Sequence, residues 1–270
     1  MARKIISEEL KNEIINYYSS NIVGLKEVEN KYNLSHPTIA KILSGVPKHK
    51  KAQIFNPNLK EDFFERIDTE VKAYFLGFII ADGNVFNPND GRQHSISITL
   101  DSNDEYMLER FKQEIGTNTS ISHDGRGCSQ IAIRSNKMAK DLEQYGVVPR
   151  KSFTTYLPNI GEDMMPHVLR GILDGDGSIK AKQTNIRNRY AHAISYCGSH
   201  QLMVDISNWC KSHNIKNSIV YDYKNRNLSE LKIQNIQDMY TFGEMLYKDA
   251  TIYLDRKKTL YDEFKAHYNL

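Results

Sequence analysis

"YFLGFIIADGNVF" at residues 74–86 and "VLRGILDGDGSIK" at residues 168–180 are two versions of one segment. Each is an apolar run that closes on Asp-Gly, and the pairs Asp82-Gly83 and Asp176-Gly177 lie 94 residues apart. Read as helices, both place a glycine in mid-helix, Gly77 and Gly171, where glycine costs ~1 kcal/mol relative to alanine. That cost makes sense if two helices must approach closely, with Ala81 and Gly175 keeping the contact narrow near the ends. Gly83 and Gly177 are expected to supply a left-handed stop. Asp82 and Asp176 then sit at helix C-termini, where the macrodipole disfavours an anion. If the helices pack side by side on a symmetry axis, the two carboxylates converge and need a cation. Oxygen ligation with open water positions suits Mg²⁺, and a divalent metal beside a phosphate means phosphodiester cleavage or transfer.

The flanks repeat as well. After Gly83 comes a polar turn region and then "HSISITLD", alternating polar and apolar; Ser102 and Glu105 are spaced as a capping box opening a helix through Leu108, Phe111 and Ile115. "SISHDGRGCSQIAIR" reads as a hairpin around Asp124-Gly125, followed by a helix that stops at Gly146. The second copy offers strands in 178–197, a helix over 200–213, a hairpin over 217–234 and a helical stretch over 236–266. Each half is therefore α-β-β-α-β-β-α, and a duplication of this length predicts a pseudo-dimer with its axis between the copies. The expected fold is α+β, two tandem halves at 68–160 and 161–270.

Residues 1–46 predict three short helices: Ser7 caps the first, Asn33 closes the second, and Ser35, Pro37 and Gly45 bound a third that turns Ile39, Ile42 and Leu43 inward. The pattern resembles a helix-turn-helix, with a plain three-helix packing module as the bland alternative. A basic linker follows over 47–67. Net charge is +3, but residues 1–60 carry +5, residues 61–164 carry −6 and residues 165–270 carry +4. A basic leading block suggests nucleic acid, while the acidic middle excludes a uniform polyanion binder. The apolar runs are too short to span a bilayer, and "MARKIISEEL" has no apolar leader core. Three cysteines make a poor disulfide framework, which points to a reducing compartment; the expected location is intracellular, in the cytoplasm of a prokaryotic or phage-infected host or in an organelle.

Both segments resemble the LAGLIDADG motif of homing endonucleases, as "FLGFIIADG" (75–83) and "LRGILDGDG" (169–177), over roughly residues 68–265. The resemblance implies a monomeric two-motif enzyme with an antiparallel β-saddle over the major groove of a long, near-asymmetric duplex DNA site. It implies double-strand cleavage across the minor groove with Mg²⁺, for which Mn²⁺ substitutes, leaving short cohesive ends, and an origin in intron or intein homing by a mobile element. The metal ligands fall on Asp82 and Asp176. A basic residue supporting the scissile phosphate falls on Lys151 of "VVPRKSF" and Lys257 of "YLDRKKTL". The first motif departs from the pattern at Ile80, where the second keeps Asp174; we read this as an asymmetry of packing.

The expected DNA-contacting set follows the same logic. Ser35, His36, Thr38 and Lys41 lie on the outer side of the third helix, and Lys48, Lys50 and Lys51 follow it. Strand alternation sets Gln93, Ser95, Ser97, Gln130, Arg134, Lys232 and Gln234 opposite the apolar face, and Lys180, Lys182, Arg187, Arg189, Lys224 and Arg226 add charge in the second half. On a half-buried sheet this is a solvent face; on a DNA saddle it brings Gln and Arg to base edges and Lys to phosphates. Several rivals compete. "DGDGS" at 174–178 fails as an EF-hand because Ile179 and Asn185 stand where glycine and a bidentate acid are needed. The two C-x-x-H pairs, Cys197 to His200 and Cys210 to His213, favour packing over zinc. A non-cleaving helix-turn-helix regulator and an intron RNA maturase are the competing function classes.

Overall fold

The computed structural model describes residues 6–49, 56–87, 94–149, 154–184, 189–221 and 228–270, and the chain divides into two compact units. The smaller comprises Met1–Lys60 with Ile115–Thr119. It holds α1 (Glu8–Ser20), α2 (Leu25–Tyr32) and α3 (His36–Ile42). The Ser7 side chain accepts a hydrogen bond from the Leu10 amide, and Asn33 takes the left-handed conformation at φ 50° and ends α2. Ile14, Tyr18, Val23, Val28, Ile39 and Leu43 form a core of their own. Ser35 stands at the start of α3, but its hydroxyl lies 2.9 Å from that of Thr38 and not on a backbone amide.

The larger unit comprises Glu61–Glu114 and Ser120–Leu270. Its first half runs α4 (Glu70–Asp82), β1 (Gly83–Phe86), β2 (Ser95–Asp101), α5 (Glu105–Ile115), β3 (Ser122–His123), β4 (Cys128–Arg134) and α6 (Asn136–Glu143). The second runs α7 (Met165–Asp176), β5 (Ser178–Gln183), β6 (Tyr190–Gly198), α8 (His200–Ser212), β7 (Ser218–Val220), β8 (Ser229–Ile233), α9 (Ile236–Tyr247) and α10 (Asp255–Tyr268). Both halves build a four-stranded antiparallel sheet with the same order, β1-β2-β4-β3 and β5-β6-β8-β7. One face of each is buried: Ile96, Ile98, Leu100, Ile131 and Ile133 in the first, Ile179, Ile194, Leu231 and Ile233 in the second. Among the described residues no helix is long and apolar enough to cross a membrane.

Four expectations need correction. Gly83 and Gly177 are not left-handed; they are extended, at φ −77° and −89°. Glycine is required there for space, since a Cβ would lie 2.6 Å from the carbonyl oxygen of Ile79 or Leu173. The capping box does not form: Asp101 caps a 3₁₀ turn at Ser102–Asp104, while Glu105 accepts from Ser129 and pairs with His123 at 2.6 Å. The stretch 236–266 is two helices, because buried Arg170 draws the carbonyls of Leu246 and Ile252 to its guanidinium and bends the segment between them. Residues 61–67 belong to the larger unit, with Phe63 and Phe64 buried against Phe111.

Candidate active site

The two motif helices are pressed together to backbone contact. A Cβ on Gly77 would lie 2.0 Å from the Val168 carbonyl oxygen, and one on Gly171 would lie 2.1 Å from that of Tyr74. The 94-residue offset that maps Gly77 onto Gly171 also maps Tyr74 onto Val168, so the contact is made twice by equivalent positions, as a twofold axis demands. Residues 73–80 of α4 are all buried, as expected of a helix that is apolar on every side. The helices run parallel, so their C-terminal ends coincide. A Cβ on Gly175 would meet Ala81 at 2.4 Å and Asp82 Oδ2 at 3.2 Å. Asp82 thus lies across the helix pair beside the residue preceding Asp176. Asp82 is half-buried and Asp176 exposed.

Asp174 is buried and plays a different part. Its Oδ2 accepts from the Tyr74 hydroxyl at 2.9 Å and from the Leu254 amide at 2.8 Å, and burial pushes its carboxyl up to about 6 against the pull of Lys257. The positions equivalent to Tyr74 and Asp174 are Val168 and Ile80. The acid is missing at Ile80 where its hydroxyl partner is missing too, which is the packing asymmetry expected from the sequence.

Lys257 lies against this helix end, 3 % exposed. Its Nζ donates to the carbonyls of Leu173 (2.5 Å), Asp174 (2.7 Å) and Gly177 (2.9 Å), with Gly175 at 3.4 Å. Burial lowers its ammonium to about 8, opposed by Asp174 and by Asp82. A cation on the last carbonyls of a helix offsets the macrodipole, so Lys257 counters the charge at the end of α7 that disfavours Asp176. Lys151 lies outside the described residues.

The sheet faces carry most of the expected contact residues on one side. Ser95 pairs with Arg134, Ser97 with Ala132, and Thr99 with Gln130, whose amide donates to Thr99 at 2.8 Å. In the second sheet a groove of about 600 Å³ adjoins Asp176 and is lined by Ser178, Lys180, Ser195, Glu230 and Lys232. Lys182 is exposed further along β5, Arg189 is exposed and its carbonyl accepts from the Thr184 amide, and Gln234 is exposed just past β8. Lys232 is not a free cation on this face; its Nζ lies 2.7 Å from Glu230 Oε2 in an ion pair. Gln93, Arg187, Lys224, Arg226, Lys50 and Lys51 lie outside the described residues. In the smaller unit Lys41 and Lys48 are exposed and Thr38 half-buried, while His36 Nδ1 sits 2.5 Å from Glu29. Cys210 is a core residue whose thiol burial pushes up to about 12.

The acids present suit a hard divalent cation. Two carboxylates at converging helix ends can hold a hard cation that keeps most of its shell as water and phosphate oxygen, the habit of Mg²⁺. Among the described residues no group of three or more His, Cys, Asp or Glu gathers to hold a metal. Sequence reasoning missed Tyr74, Asp104 and Arg256 as members of the site's surroundings. The last two form a 2.9 Å ion pair between the halves, and no local spacing could have signalled it.

Residues 69–161 match the model of the LAGLIDADG-like domain family. No curated protein matches the chain. Among solved structures, the chain is similar to the meganuclease I-SmaMI bound to uncleaveable DNA, at 16 % identity and a TM-score of 0.53 over 72 % of this chain and 89 % of that one. It is similar to the LAGLIDADG homing endonuclease I-GzeII in complex with its DNA target, at 15 % identity and 0.53 over 73 % and 89 %. I-SmaMI has also been solved on uncleaved target with calcium ions, matching at 17 % identity and 0.50 over 72 % and 89 %. Residues 69–161 are thus a LAGLIDADG-like domain, and the two halves together have the fold of the LAGLIDADG meganucleases.

Proposed function

We propose that the chain is a site-specific double-strand DNA endonuclease that hydrolyses phosphodiester bonds across the minor groove and leaves short cohesive ends. The observation that carries this reading is the seat of Asp82 against Gly175, which puts both motif-ending carboxylates at the same end of one helix pair. The relatives of like fold that are solved on DNA supply the substrate class. Mg²⁺, or Mn²⁺ in its place, would be held by Asp82 and Asp176 and would supply a Lewis acid for a phosphate oxygen and a more acidic water. The chain's own contribution is placement: the glycine contact fixes the distance between the acids, and Lys257 keeps positive charge behind Asp176. Gln130, Arg134, Lys180 and Lys182 face the duplex, the first two suited to base edges and the lysines to phosphates. The three-helix unit, with Ser35, Thr38 and Lys41 outward, adds a second hold on the same DNA as a monomer binds it.

The test is a plasmid library of candidate insertion sites incubated with protein and Mg²⁺. Asp82→Asn and Asp176→Asn should each abolish cleavage and leave sequence-specific binding largely intact, because the carboxylates serve the metal and not base readout. Either variant cutting both strands at near wild-type rate would overturn the assignment. Wild-type protein that binds a specific duplex and never cuts it would support the regulator instead.

A further inference from the structure

The first turn of α10 is gripped from both halves of the larger unit. The Asp255 amide donates to the Tyr106 hydroxyl at 2.8 Å, and Arg256 Nε donates to Asp104 Oδ2 at 2.9 Å; Tyr106 lies in the first turn of α5 and Asp104 in the 3₁₀ turn that leads into it. From the other side Asp174, on the second motif helix, takes the Leu254 amide. The next residue is Lys257, whose ammonium holds the last carbonyls of α7. Four consecutive residues therefore join the first half, the second motif helix and the end that bears Asp176. Asp104 is the fixed point of this chain of contacts: it is 5 % exposed, and its partner Arg256 reaches it from a largely exposed position.

We propose that Asp104 and Arg256 are positioning residues that clasp the first turn of α10 to the first half and so hold Lys257 on the helix end carrying Asp176. A residue of one half thereby sets the geometry of the other half's acid, in addition to the contact between the motif helices. The catalytic arm of this proposal rests on the nuclease reading; the structural arm does not. An ion pair that acts through a backbone segment orients a metal-holding acid much as a hydrogen-bonded partner orients a ligand, and loss of such partners costs roughly ten- to a hundredfold in activity or metal affinity.

The experiment uses the full chain and the variants Asp104→Asn, Arg256→Ala and the conservative Arg256→Lys. Amide hydrogen exchange, followed by mass spectrometry without DNA, compares peptides covering residues 173–177 with those covering 79–83. In Asp104→Asn and Arg256→Ala, exchange over 173–177 should rise while 79–83 stays at the wild-type rate, and Arg256→Lys should restore most of the protection. On a cleavable duplex the first two variants should lose roughly ten- to a hundredfold in kcat, with the half-saturating DNA concentration unchanged. Wild-type exchange over 173–177 in both variants overturns the clasp, whatever the cleavage result. Faster exchange with undiminished kcat overturns the positioning role. Faster exchange in a protein whose wild type cuts no duplex leaves the clasp standing and defeats the nuclease reading.

Discussion

Lys257 was expected to support a scissile phosphate, and its surroundings give it another task first. An ammonium has three N–H donors, and three carbonyls within 2.9 Å take them. In this arrangement its ammonium is held close to Asp176, on the carbonyls of the residues either side of it. Replacing it with methionine would leave the carbonyls of Leu173 and Asp174 buried without their donor, at about 1–3 kcal/mol for each group left unsatisfied, and the part-buried Gly177 carbonyl without its own. We expect Lys257→Met to lose about 3 kcal/mol or more in urea unfolding and to cut DNA far more slowly. Unfolding unchanged from wild type would mean that the helix end does not depend on the lysine. The matched "RK" pairs made Lys257 legible as special. That it is buried was not legible, because its burial depends on a helix end some 80 residues earlier in the chain.

The motif helices divide their contact into a symmetric and an asymmetric part. Glycines meet backbone in both directions, but the polar groups lie on one side. Tyr74–Asp174 has Val168–Ile80 as its symmetry mate, and Glu70–Arg170 has Met164–Leu76. Each polar pair is replaced as a pair, which follows from the cost of burying either partner alone. Gly77→Ala and Gly171→Ala should both be strongly destabilising, because the new methyl meets backbone that cannot rotate away. Overpacking of this kind costs typically about 1–3 kcal/mol, and a 2.0 Å approach puts these two at or above the upper end. Gly198→Ala is the comparison: its nearest obstacles are the side-chain ends of Leu202 at 3.3 Å and Met203 at 3.5 Å, which can shift. Thermal melts placing all three variants together would contradict the account of the helix contact.

Across the larger unit, Glu70 and Arg170 tie the start of α4, the middle of α7 and the segment between α9 and α10. Arg170 is fully buried and donates to Glu70 at 2.6 Å, while Glu70 also accepts from the amide and hydroxyl of Thr251. Burial by itself would raise the Glu70 carboxyl, but the bonds from Thr251 and the Arg170 charge outweigh it and hold the group below its ordinary range. A carboxyl lowered in the folded state contributes stability above its unfolded pKa and loses it as pH falls through the folded one. Glu70→Gln should therefore cost roughly 3 kcal/mol near neutral pH, the low end for breaking a buried pair, because Glu70 is partly exposed. The gap from wild type should close in acid; a gap independent of pH would contradict it. For the chain as a whole, removing residues 1–46 should weaken DNA binding and shrink the nuclease footprint while the larger unit still cuts at higher protein concentration. Identical footprints would leave the three helices as a packing module.

What could be read from the residues in order was whatever depends on local pattern. The αββαββα duplication, the alternating strand faces and the glycine-lined motif pair follow from periodicity and from the cost of mid-helix glycine, and each recurs in the structure. Several features were decided by groups distant in sequence: the extended Gly83 and Gly177, the break between α9 and α10, the buried ends of Asp174 and Lys257, and the grip of Asp104 on Arg256. These are matters of space and desolvation. A buried charge is tolerable where a partner meets it, and which partner does so is settled by how two helices and a terminal turn pack, a relation that no local spacing encodes.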